Sequence, residues 1–306
     1  MSWLQRMGTL VDTLGGPARM RRFRTGWPAH TSTEIRFFAT DNVQYRYRER
    51  GEGQTIVFTA DPPVTLELYD TLLEVFAAHY RVVIVELAGM GFSAPNTHFS
   101  FGWRETNDDL TQFLRSVAGE QAILAFSCVA GLAAVDIATR YPELVSRLVL
   151  MQTGDVEAFA RWKAGRDPKG ILAKPFLGQY LMKRMAPKRM PDWYRLSVGA
   201  AHAHDTFCHC TAESFTHGAL WSLASAYQRY MDPNVVLGRP TQPVLALWGL
   251  ADGSHPPENA QTPKRLAENV EYHAFATLGH FLELEDPEAA FAAIHAFTQQ
   301  SPLSAS

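Results

Sequence analysis

The chain reads as an α/β protein: a mostly parallel sheet with helices on both faces and a block of helices inserted late in the sequence. Three observations predict this. Short apolar runs alternate with segments of helical spacing from about residue 55 onward. Two of those runs, Arg81-Val-Val-Ile-Val-Glu-Leu87 and Val145-Ser-Arg-Leu-Val-Leu-Met151, are nearly continuous rather than alternating, as expected of strands buried on both faces. The alternation stops between about residues 153 and 238, where aromatics, histidines and helical spacing replace short strands, and then resumes.

Taken in order, Trp3, Leu4, Met7, Leu10, Val11 and Leu14 recur at helical spacing, with Ser2 as cap and Gly15-Gly16-Pro17 as stop. This predicts a short amphipathic helix packing on its own domain or on a second copy in a homodimer. Arg19, Arg21, Arg22 and Arg24 follow it. Ile35 and Phe37, then Val43, Tyr45 and Tyr47, alternate on either side of Asp41-Asn42 and predict two antiparallel strands. A buried strand follows at Thr55-Ile-Val-Phe-Thr59, a helix at 66–79, and the strand at 81–87. Next come a helix at 103–117, a strand at 121–126, a helix at 129–141 and the strand at 145–151. After the insertion, Pro243–Trp248 and Val270–Phe275 read as strands, with helices at 258–268 and 287–299. The expected organisation is an N-terminal helix and basic linker (1–32), a first core part (33–152), a helical cap (153–238) and a second core part (239–306).

Composition narrows the function. With 306 residues, 46% of them hydrophobic, the chain can bury a large core. A net charge of -3 argues against nucleic acid as a bulk electrostatic partner. No apolar run reaches the roughly 18–20 residues of a membrane span, and the start lacks a signal-peptide pattern, so a cytoplasmic location is expected. Three cysteines, Cys128, Cys208 and Cys210, fit reduced thiols rather than a disulfide framework.

The sharpest feature is the passage from an apolar strand to a helix across Ser127 and Cys128. A nucleophile on such a corner is raised above the sheet edge, with helix N–H groups aimed at the site.

Three landmarks around it resemble the α/β-hydrolase superfamily of the capped, thioesterase- and lipase-like kind. They are Glu86-Leu-Ala-Gly-Met-Gly-Phe-Ser93; the corner Phe126-Ser-Cys-Val-Ala-Gly131 with its helix ending at Arg140-Tyr-Pro-Glu143; and Leu247-Trp-Gly-Leu-Ala-Asp252 with Pro256-Pro257, paired with Gly279-His-Phe-Leu-Glu-Leu-Glu-Asp-Pro287. The resemblance spans about residues 33–300 and implies an α/β-hydrolase fold. Its helix register before Arg140-Tyr141-Pro142 puts the nucleophile at Cys128, with small Ala130 and Gly131 beyond it; Ser127 is the alternative. His280 is then the base and Asp252 its acid, with Asp155 as the alternative acid. Nucleophile, acid and histidine stand in the chain order of that superfamily.

A helix N-terminus and a neighbouring histidine are expected to lower the cysteine pKa and to supply thiolate near neutral pH. Attack on an acyl thioester or lactone would leave an acyl-cysteine, able to pass its acyl group to water or another acceptor. The oxyanion hole departs from the family pattern. Where His-Gly-x is usual, this chain has Ala60-Asp61-Pro62-Pro63, and Pro62 has no N–H. The expected donors are therefore the backbone N–H groups of Val129 and Asp61. Because of Pro62, a lyase or cyclase keeping the His280–Asp252 dyad, and a catalytically silent binding protein, stand as competing readings.

Phe126, Ser127, Trp221 and His204 are candidate substrate contacts. The cap's Ala201-His-Ala-His-Asp-Thr-Phe-Cys-His-Cys210 lacks structural-zinc spacing, so neither metal nor other cofactor is expected. Lys183, Arg184, Lys188 and Arg189 read as a solvated face, or as a contact for a substrate carried on CoA or an acyl carrier protein.

Overall fold

The computed structural model describes residues 1–21, 34–232 and 234–300; of residues 16–21 it describes the backbone course alone. The chain begins with helix α1 (Trp3–Arg21), followed by strands β1 (Ile35–Ala39), β2 (Val43–Arg50) and β3 (Thr55–Ala60). Helix α2 (Asp70–Phe76) leads to β4 (Arg81–Glu86) and the two-residue β5 (Ala94–Pro95). Helix α3 (Trp103–Phe113), β6 (Ala122–Ser127), α4 (Cys128–Arg140) and β7 (Val145–Met151) complete the first part of the sheet. Four helices then intervene: α5 (Val156–Arg166), α6 (Leu177–Ser197), α7 (His204–Thr216) and α8 (Leu223–Arg229). Strands β8 (Val244–Gly249) and β9 (Val270–Phe275) and helices α9 (Leu282–Glu285) and α10 (Pro287–Thr298) finish the fold.

The strand order is β1-β2-β4-β3-β6-β7-β8-β9, with β5 pairing β2. The β1–β2 and β2–β4 pairs are antiparallel; from β4 through β9 every pair is parallel. Successive side chains on a strand face opposite ways, so a sheet covered on both faces needs apolar residues at every position. In β4, Val83 and Val85 join one core layer while Val82 and Ile84 join the other; in β6, Leu124 and Phe126 oppose Ile123 and Ala125. The first layer is closed by α3 and α4, the second by α2 and α10.

Several element boundaries differ from the sequence reading. The 66–79 helix is split into a 3₁₀ turn at Leu66–Leu68 and the shorter α2. The helix expected at 258–268 is a 3₁₀ segment, Pro257–Arg265. Gly15-Gly16-Pro17 does not stop α1, which continues to Arg21. The orientation of α1 is also the reverse of an apolar stripe packing inward. Thr9, Asp12 and Thr13 are buried, whereas Trp3, Leu4, Val11 and Leu14 are exposed. Asp12 explains the inversion: its Oδ2 accepts from the Ser225 hydroxyl at 2.7 Å and backbone N–H at 3.3 Å, and its Oδ1 pairs with Lys183. The side chains of Arg19, Arg21, Arg22 and Arg24 lie outside the described residues.

Candidate active site

The loops that leave the carboxyl ends of β3, β6, β7, β8 and β9 converge, as ligand-binding loops of parallel sheets do. They contribute Asp61, Cys128, Gln152, Asp252 and His280 respectively. Cys128 opens α4 directly from β6 and holds φ +54°. A non-glycine residue in this left-handed region costs about 1–3 kcal/mol, a strain typical of residues displayed for chemistry. The corner is tight. A Cβ at Gly131 would lie 2.0 Å from Thr153 Oγ1, and that hydroxyl donates to the Cys128 carbonyl at 3.1 Å. A glycine at 131 thus lets β7 and α4 approach.

Asp252 is held as a carboxylate from several sides. Its Oδ2 accepts from Gln152 Nε2 (2.9 Å), His255 Nδ1 (2.8 Å) and His280 Nδ1 (2.7 Å), and its Oδ1 accepts from the Ser254 N–H (2.8 Å). Gln152 is oriented for this by a second bond, accepting from the Gly249 N–H at 2.8 Å, and it too stands at positive φ, +46°. On the other side of the imidazole, His280 Nε2 meets Asp61 Oδ2 at 2.9 Å. The Cys128 sulfur, the Asp61 carboxylate and a His280 ring nitrogen lie within 4.8 Å of one another. His280 is tied to the cap as well, since its backbone N–H donates to the Ser197 carbonyl at the end of α6 (2.7 Å).

Cap aromatics close the space above. Trp193 meets the His280 ring edge-on at 5.7 Å, and Trp162 stacks on His255 at 5.7 Å, which itself stacks on His280 at 5.2 Å. Asp61, Cys128, Asp252 and His280 are all buried.

Burial sets the electrostatics. It raises the Cys128 thiol, Asp61 adds to that, and the His280 contact only partly offsets them, leaving the thiol pushed up to about 11. The structure therefore reverses the expected thiol depression: the neighbouring carboxylate and the loss of solvent outweigh the helix N-terminus. For His280, burial disfavours the charged ring, but the Asp252 charge and hydrogen bonds to Asp252 and Asp61 outweigh it and hold the pKa well above the usual imidazole range. Against the same cost, the two histidines hold Asp252 well below the usual carboxylate range. Burial keeps His255 below its usual value despite Asp252. The thiol thus favours its neutral form beside a ring whose two nitrogens each face a carboxyl group, and those contacts favour the charged imidazole.

The other sequence candidates divide. Val129 follows Cys128 in the first turn of α4, and its backbone N–H favours the charged sulfur, partly offsetting the rise of the thiol. Asp61 reaches the site, and its carboxylate faces His280 Nε2 at 2.9 Å. Phe126 is fully buried in the core layer beneath α4. Ser127 lies under the corner, its hydroxyl 3.4 Å from Glu283 Oε1. The other two residues read as substrate contacts have partners of their own. Trp221 packs where α1 meets α6, 3.3 Å from a Cβ built on Gly15, with Lys183 over its ring. His204 Nε2 bonds the Val198 carbonyl at 3.1 Å. The alternative acid Asp155 caps α5, accepting from the Ala158 N–H at 2.7 Å, and pairs with Arg265.

Residues not singled out from sequence include His255, Gln152 and Glu283. Glu283 sits inside a quoted motif, three residues from His280, and His255 stands between Asp252 and the quoted Pro256, three residues from Asp252, so a signal was available for both. Gln152 carried none. Glu283 is a buried carboxyl raised to about 8, by burial first and by Asp61 second. Among the described residues, Asp61, Cys128 and His280 form one donor set able to hold a metal ion and Asp252, His255 and His280 another, whereas the cap's Cys/His run forms none. In both sets the donors already face one another through hydrogen bonds.

Known proteins resemble this chain at low identity. The model of the alpha/beta hydrolase family matches residues 58–294. The chain is 24% identical over 245 residues to the biotin biosynthesis bifunctional protein BioHC of Teredinibacter turnerae, covering 75% of this chain but 41% of that protein, so it spans less than half of this relative's length. It is 22% identical over 261 residues to the 2-hydroxy-6-oxo-6-(2'-aminophenyl)hexa-2,4-dienoic acid hydrolase of Metapseudomonas resinovorans, covering 83% of this chain and 87% of that one. Among solved structures, a thermophilic esterase from Thermogutta terrifontis superposes with a TM-score of 0.66 at 18% identity, over 87% of this chain and 97% of the esterase. With a family model covering most of its length and the sheet order and corner described above, the chain belongs to the alpha/beta hydrolase family.

Proposed function

We propose that the protein is a hydrolase-type enzyme that acts on an acyl thioester or lactone through Cys128, with His280 as base and Asp252 orienting it. The observation that carries this reading is the strained Cys128 corner, φ +54° at the head of α4, with the sulfur within 4.8 Å of a His280 nitrogen and an Asp61 oxygen. In the resting arrangement Asp61 occupies His280 Nε2. Substrate entry must draw Asp61 off that nitrogen, and Asp61 leaves carrying the Nε2 proton as a neutral acid; the neutral ring then takes the thiol proton. The thiolate attacks the acyl carbon, the C–S or C–O bond to the leaving group breaks, and His280 returns the proton to that group. Water or another acceptor then attacks the acyl-cysteine, giving its proton to His280, and the thiol is regenerated. The Val129 N–H serves the oxyanion. A carrier such as CoA or an acyl carrier protein is the expected source of a thioester substrate. Intact-mass spectrometry after incubation with acyl thioesters tests it: an adduct on wild type and on Ser127→Ala, absent from Cys128→Ala, is expected. An adduct kept by Cys128→Ala and lost by Ser127→Ala would sink it.

A second reading is favoured by the Asp61–His280 contact itself and by a thiol raised to about 11. Here Asp61 and His280 move protons in lyase or cyclase chemistry without a covalent intermediate, and Cys128 only lines the site. Turnover retained in Cys128→Ala but lost in both His280→Ala and Asp61→Asn is its signature. Triad-dependent turnover of any kind excludes a silent binding protein.

A further inference from the structure

Helix α1 turns Trp3, Leu4, Val11 and Leu14 to solvent, while Met7 and Leu10 are half-buried. Trp3 is 71% exposed, Leu4 53%, Val11 53% and Leu14 60%, while its polar residues Thr9, Asp12 and Thr13 are buried. The face continues onto the start of α6. A Cβ at Gly8 would sit 3.3 Å from the Pro175 side chain and 3.5 Å from the Phe176 backbone, and Phe176, Leu177 and Tyr180 are exposed there too. Along α6 the stripe then becomes basic at Arg184 and Lys188, each four residues beyond the last.

Charge decides what this face fits. Residues 1–15 and 174–189 carry Arg6, Lys174, Lys183, Arg184, Lys188 and Arg189; their one acidic residue, Asp12, is buried against Lys183, and Arg189 pairs with Asp192 just beyond, which leaves Arg6, Lys174, Arg184 and Lys188 as the basic surplus. The whole chain has a net charge of -3, so the basic surplus is local. A second copy seated face to face would oppose like charges across the contact. An anionic bilayer surface complements them, and exposed Trp and Leu beside Lys and Arg is the composition of helices that lie in a lipid interface. No described helix is long and apolar enough to cross a membrane, so the contact is peripheral. A hollow of about 420 Å³, lined by Met182, Phe215, Leu220 and Trp221 among others, opens beside Lys183 and gives a lipid chain somewhere to go.

We propose that the α1–α6 face docks the protein on an anionic lipid surface. The full chain is tested by co-flotation with vesicles of phosphatidylcholine alone and of equimolar phosphatidylcholine and phosphatidylglycerol, at low and high salt. Wild type is expected to float with the anionic vesicles and to be released by salt. Arg184→Glu with Lys188→Glu should weaken partitioning by about fivefold or more for each basic residue removed. Trp3→Asp with Leu4→Asp should weaken it more than tenfold. These side chains are solvent-exposed, so thermal midpoints near wild type are expected and separate lost docking from misfolding. Failure to float, or flotation unchanged in both variants, overturns the proposal. A dimer in analytical ultracentrifugation that Trp3→Asp with Leu4→Asp dissociates overturns it in favour of a second copy.

Discussion

Asp61 Oδ2 stands 2.9 Å from His280 Nε2, on the opposite side of the ring from Asp252 Oδ2 at 2.7 Å. With both of its nitrogens hydrogen-bonded to carboxyl groups, the imidazole has no nitrogen free to accept a proton from Cys128 until Asp61 moves. That single contact governs most of what can be measured at this site.

Removing the Asp61 charge should therefore lower the thiol pKa. In a Cys208→Ser, Cys210→Ser background, the pH at which Cys128 alkylation reaches half its maximal rate should fall from about 11 when Asp61→Asn is added. An unchanged or higher midpoint would remove Asp61 from the account of the thiol.

The same raised thiol couples to stability. The folded state holds the proton more tightly than the unfolded chain, so the contribution is full below about pH 9 and is lost as pH rises to about 11. Over that window wild type should lose up to about 3 kcal/mol that Cys128→Ala does not lose, read from denaturant midpoints at several pH values.

Glu283 gives a second window lower on the scale. Its carboxyl, raised from 4.5 to about 8, favours the folded state most below pH 4.5 and loses that advantage as pH rises toward 8. Glu283→Gln should therefore stabilise the protein at pH 8, by on the order of 3–5 kcal/mol, relative to its effect at pH 4.5. Equal thermal shifts at both pH values would show that Glu283 is not held neutral.

Asp252→Asn should remove the charge that outweighs burial at His280, so the ring loses its proton at lower pH. NMR titration of the ring carbon protons reads this directly. Turnover, once a substrate is in hand, should drop by about 10³–10⁴-fold, as when an orienting acid is lost from a triad.

Packing at the corner is testable without chemistry. Gly131→Ala should cost about 1–3 kcal/mol, because the new methyl meets Thr153 Oγ1 at 2.0 Å, and Gly131→Ala with Thr153→Ala should recover part of it. An additive double variant would mean the helix relaxes without involving Thr153.

Much of this was legible in the chain. Two-sided burial writes continuous apolar runs, so β4, β6, β7 and β8 could be read with little error, and the strand-to-helix passage at Ser127 and Cys128 marked the corner. The motifs around Asp252 and His280 supplied the dyad, now seen as a 2.7 Å contact. What the sequence could not decide depended on partners far along the chain. Asp61 is 219 residues from His280, and only the placement of β3 and the β9 loop at one end of the sheet brings its carboxylate to face the base. Periodicity found the apolar stripe of α1 but not its direction, because one buried carboxylate, Asp12, finds Ser225 and Lys183 in the cap and turns the polar side of the helix inward. Spacing along a chain reports which residues share a face; which way that face turns is set by whether its polar groups meet partners that offset their desolvation, and those partners exist only in the folded structure.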